Sequence, residues 1–102
     1  MGKEAKIEKA VCDYAESRGL QHRKLKWVGR RDAPDRIFWG PGVPPFFIEM
    51  KVPGESPRPG QWAELESLND SRIASAYVVD SIASGKSIID RMTSRKGTRG
   101  LC

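Results

Sequence analysis

A chain of 102 residues has room for one domain and buries only part of its apolar surface, so pairing with a second copy is a natural way to complete its core. Its 18 Lys and Arg against 13 Asp and Glu leave a net charge of +5, which favours polyanions because Lys and Arg neutralise phosphates and release counterions. The 2 cysteines, Cys12 in a helical pattern and Cys102 at the last position, exclude a disulfide framework and a thiolate zinc site. No apolar run has the length of a membrane span, and the opening residues have no signal-peptide core. These features lead us to expect a soluble cytoplasmic protein.

Ile7, Ala10, Val11, Tyr14 and Ala15 recur at helical spacing, which predicts a helix from Glu4 to about Arg18, ended by Gly19. Leu25 to Val28 reads as a first strand, followed by the basic loop Gly29-Arg30-Arg31-Asp32. Asp35 to Trp39 is a second strand, Gly40-Pro41-Gly42 a turn, and Phe46 to Val52 a third strand, which together suggest an antiparallel meander. A second helix follows from about Pro59 or Gly60 to Asn69, expected to bury Trp62, Leu65 and Leu68. Ala76 to Val79 makes a fourth strand, and Ser84, Ile88, Ile89 and Met92 mark a short last helix capped by Ser84. Residues 1–94 thus form one domain, and 95–102 a basic tail expected to be flexible. The order α-β-β-β-α-β implies an α/β fold with a mixed sheet flanked by helices.

The third strand carries the chemistry. Side chains alternate across a strand, so Phe47, Glu49 and Lys51 share one face while Ile48, Met50 and Val52 share the other. A surface ion pair is the ordinary explanation of a bare Glu-x-Lys. Pro34-Asp35 changes the balance, because a glycine-marked hairpin brings it back beside Glu49. Two carboxylates so placed repel one another unless they share a proton or a divalent cation. Oxygen donors favour Mg²⁺ or Mn²⁺, and the single His with no thiolate cluster disfavours zinc. In such a site Lys51 would orient the nucleophile or neutralise charge in the transition state.

Asp35 followed by Glu49-Met50-Lys51 resembles the core motif of the PD-(D/E)xK nuclease superfamily, whose fold is restriction-endonuclease-like. The chain is most similar to its virus-type replication-repair nuclease (VRR-NUC) family, in particular the small stand-alone proteins of phages and bacteria. The resemblance runs from Glu4 to about Asp90 and rests on an ordered series. That series comprises Glu4-Ala5-Lys6-Ile7-Glu8, Gly19, Lys24, Pro34-Asp35-Arg36-Ile37, Phe47 to Gly54, Gln61 and Val79-Asp80-Ser81. Ala33 departs from it, since many relatives have glycine there.

The resemblance implies a divalent-metal-dependent endodeoxyribonuclease, with Mg²⁺ or Mn²⁺ held by Asp35, Glu49 and a glutamate of the first helix. Lys51 would support catalysis, and Gln61 would sit near the site. Glu8 is favoured over Glu4 for the helix position, and both remain candidates. The resemblance also implies branched DNA as substrate, a homodimer like the Holliday-junction resolvases, and a place in replication, repair or recombination.

Lys24, Lys26, Arg30 and Arg31 cluster around the first strand and its loop, either as a solvated charge run or as a surface that sets DNA phosphates over Asp35. Arg36 either faces substrate or pairs locally, while Arg58, Arg91, Arg95, Lys96 and Arg99 would extend an electrostatic track. His22 reads as a loop residue and Cys12 as helix packing. The rival functions are a non-catalytic nucleic-acid-binding module, a protein-interaction domain, and a flap or duplex nuclease without junction preference.

Overall fold

In the computed structural model, Ile7, Val11, Cys12 and Ala15 fall on the buried side of helix α1 (Lys3–Ser17). The structure describes residues 1–100, and the side chains of residues 1–94. Gly19, at φ +83°, turns the chain back after α1. This lets the Leu20 amide donate to the Ala15 carbonyl at 3.0 Å and buries Leu20. Strands β1 (Gln21–Lys24), β2 (Arg36–Gly40) and β3 (Val43–Met50) follow, then α2 (Pro59–Asp70), β4 (Ser75–Val79) and α3 (Ile82–Gly100).

The sheet order is β1-β2-β3-β4. The first three strands form the expected antiparallel meander, and β4 joins β3 in parallel after the crossover through α2. Phe38, Phe46, Ile48, Met50 and Val79 meet Ile7, Val11, Ala15, Ile88, Ile89 and Met92 in one core, so α1 and α3 share a face of the sheet. Phe38 and Phe46 stack across β2 and β3 with centroids 5.3 Å apart. A Cβ on Gly85 would overlap Val11, so glycine at this position is what lets α3 approach α1. Helix α2 covers the opposite face, contributing the buried Leu65.

Several expectations require correction. The first strand is Gln21–Lys24, not Leu25–Val28, and it includes His22 rather than leaving it in a loop. As an edge strand mostly open to water, β1 needs no apolar alternation, and its sequence Gln-His-Arg-Lys shows none. Trp27 accordingly sits in the β1–β2 loop rather than on the sheet. Trp62 is 44% exposed, because Gln61 and Leu65 occupy the inward positions of α2. The last helix begins at Ile82 and is longer than the expected single stretch around Ser84. Its cap is Ser81, whose Oγ accepts the Ser84 amide at 3.0 Å. The backbone of the expected tail continues α3 as far as Gly100, while the side chains of Arg95, Lys96 and Arg99, and residues 101–102, lie outside the described residues.

Candidate active site

The β2–β3 register pairs Arg36 with Ile48, so one step further Asp35 stands opposite Glu49 at the open end of the hairpin. Pro34, fully buried, fixes the backbone just before it. The Asp35 carbonyl accepts the Leu25 amide at 3.0 Å, and its Oδ2 accepts the Met50 amide at 2.6 Å. Burial raises the Asp35 carboxyl above its usual range, the Met50 N–H opposes that, and the charge of Glu8 adds to it.

Glu49 is only 3% exposed. Its Oε2 accepts Gln61 Nε2 at 2.9 Å and lies 3.6 Å from Lys51 Nζ. Burial pushes its pKa up to about 7, helped by the negative charge of Asp35 and resisted by Lys51. Lys51 leaves the sheet just after β3, its amide donating to the Val79 carbonyl at 2.8 Å. Gln61 is at the third position of α2, where its Oε1 accepts the Arg58 amide at 2.8 Å. The same side chain therefore caps the helix and holds Glu49.

The structure thus brings Asp35, Glu49, Lys51 and Gln61 together. Glu8 lies near this group but faces cations, with Arg36 Nε at 2.7 Å and Lys24 Nζ at 4.0 Å from its Oε2. Glu4 is exposed on the first turn of α1. Among the described residues, no three His, Cys, Asp or Glu side chains converge closely enough to hold a metal ion. The donor chemistry of the pair nevertheless fits a hard divalent cation. Asp35 and Glu49 offer carboxylate oxygens from adjacent strands, and both are held where carrying a charge without a counter-charge is costly.

The expected DNA-binding cations divide into two groups. Arg36 pairs with Glu8, Arg30 with Glu64 at 2.6 Å, and Arg58 with Asp32 at 2.8 Å. Lys26 and Arg31 are exposed, with no ion-pair partner among the described residues. Sequence reasoning missed Asp32 and Glu64 as the anchors of the β1–β2 loop. The one available signal was Gly60, where a Cβ would overlap the Asp32 carboxylate.

A short mixed sheet, with helices on both faces and an Asp, Glu-x-Lys cluster where its central strands end, defines the restriction-endonuclease-like PD-(D/E)xK class. A solved structure described as a VRR_NUC domain superposes with a TM-score of 0.81 and 31% sequence identity, over 88% of this chain and 97% of its own length. The chain belongs to the VRR-NUC family. A scan against family models finds no match, and neither does a search of curated proteins.

Proposed function

We propose that this nuclease domain is a divalent-metal-dependent DNA endonuclease whose working residues are Asp35, Glu49 and Lys51. The observation that carries the reading is the half-buried Asp35 beside the buried Glu49, with Lys51 3.6 Å from Glu49 Oε2. Simple phosphate binding has no use for two desolvated carboxylates, which argues against a purely binding module. Asp35 and Glu49 would hold Mg²⁺ or Mn²⁺, and Glu8 and Glu4 are the further carboxylates whose charges act on Asp35 and Glu49 respectively. An ion held there would supply Lewis-acid chemistry, lowering the pKa of a water and offsetting charge on the phosphoryl oxygens.

The chain's own groups do the rest. The Met50 amide fixes Asp35, and Gln61 fixes Glu49, so neither carboxylate has to be ordered during the reaction. Lys51 places a positive charge beside the reacting phosphate, where the desolvated surroundings strengthen its effect. The products are 5′-phosphate and 3′-hydroxyl ends.

Branched DNA is the proposed substrate and a homodimer the proposed assembly, both by analogy with the family. Cleavage of labelled four-way junction, flap and linear duplex with Mg²⁺ or Mn²⁺ tests the reading, comparing wild type with Asp35→Ala. The expected result is metal-dependent cutting that the substitution abolishes, with paired symmetric nicks in the junction. Cutting that survives Asp35→Ala would remove the assigned site, and no cutting of any substrate would favour a binding module.

A further inference from the structure

The β1–β2 connection is anchored at its base and along one side, while its apex is bare. The Leu25 amide closes the base on the Asp35 carbonyl. Arg30 Nε reaches Glu64 at 2.6 Å, and Arg58 reaches Asp32 at 2.8 Å, so two ion pairs tie the loop to α2. Asp32 holds a left-handed backbone at φ +69°, uncommon for a residue with a side chain, with its carboxylate against Gly60 in the first turn of α2. Gly29 is also left-handed, at φ +75°. A loop secured this way presents its remaining side chains in a set orientation.

The exposed ones among them are Lys26, Val28 and Arg31, while Leu25, Trp27 and Ala33 are half-buried. Val28 is 98% exposed, and Lys26 and Arg31 flank it in sequence without ion-pair partners among the described residues. A lone exposed apolar residue is ordinary, and exposure alone does not single Val28 out. Ile73 is 86% exposed, but it lies where β4 begins beside Phe46, at the end of the sheet away from Glu49. Val28 is on the loop that ends in Asp35, at the catalytic end.

From this we infer that Val28 is a wedge that enters the base stack of bound DNA where stacking is already interrupted, and holds that point beside Asp35. Lys26 and Arg31 would take the phosphates on either side of the opened step. DNA-binding proteins that insert apolar side chains between base steps combine them with Arg and Lys contacts to the same DNA. The inference rests on the reading of the chain as a nuclease for branched DNA, and it names the residue that senses the branch.

The test uses the full chain with a four-way junction carrying 2-aminopurine at the branch point. Wild type, Val28→Ser and Val28→Leu are compared for fluorescence in EDTA and for cutting in Mg²⁺. Wild type and Val28→Leu are expected to raise the fluorescence as the base unstacks. Val28→Ser should lose most of that rise and cut the junction about tenfold more slowly, because it forfeits the apolar contact. Its melting temperature should be unchanged, since Val28 packs against nothing. An equal rise with Val28→Ser, or no rise with wild type despite junction cutting, would overturn the wedge and leave the nuclease reading intact. Neither binding nor cutting by wild type would overturn both.

Discussion

Replacing Glu49 with Gln should stabilise the metal-free protein at alkaline pH while abolishing its activity. Glu49 is buried, and its pKa rises from an ordinary 4.5 to about 7. A group whose pKa is raised on folding contributes stability that is full below its unfolded value and is lost as pH rises through its folded value. For Glu49 that window runs from 4.5 to about 7. The full shift corresponds to about 3 kcal/mol. Asp35 is shifted in the same direction and titrates with it, so the loss belongs to the pair.

Glu49→Gln keeps the shape and an oxygen for the Gln61 bond while removing the charge. Urea denaturation followed by tryptophan fluorescence in EDTA, at pH 5 and pH 8, measures the effect. The variant should lie within about 1 kcal/mol of wild type at pH 5 and exceed it by about 3 kcal/mol at pH 8. Mg²⁺ should narrow the gap at pH 8 by stabilising wild type alone. Equal pH dependence in the two proteins would refute the argument that Glu49 is strained by burial and by Asp35.

Other substitutions probe the supports of the site. Gln61→Ala removes both the α2 cap and the Glu49 contact. It should cost about 1 kcal/mol in denaturant titrations and lower kcat more than it changes KM. Gly85→Ala forces a methyl group into Val11, and should lower stability by about 1–3 kcal/mol, read as a drop in Tm with DNA binding retained. Burial pushes the Cys12 thiol up to about 11, so in a Cys102→Ser background iodoacetamide at pH 8 should label the unfolded chain readily and the native one hardly at all by mass spectrometry. Fast native labelling would show that α1 opens.

Much of the fold was legible because its elements carry strong local signals. The α1 stripe, the Gly40-Pro41-Gly42 turn and the apolar run of β3 each encode their own conformation, and the observed elements lie within a few residues of those expected. β1 was misplaced because an edge strand gains its place from pairing with β2, and Gln21 to Lys24 carry no period of their own. Trp62 was expected inside on hydrophobicity alone. In the structure the polar Gln61 takes an inward position, since it satisfies both a helix end and a buried carboxylate.

The sequence by itself determined the donor types of the site and their order along the chain. Asp35, Glu49 and Lys51 follow from strand alternation and a hairpin, which are local geometry. Tertiary structure alone decided how the charges are shared out. Glu8 is committed to Arg36, Glu49 to Gln61, and Arg30 and Arg58 to the loop anchors Glu64 and Asp32, leaving Lys26 and Arg31 open. These partners lie 12 to 34 residues apart in sequence and meet only because α1 and α2 pack against the sheet and its β1–β2 loop. An ion pair of that range leaves no periodic trace in a sequence, because either partner alone reads as ordinary surface charge.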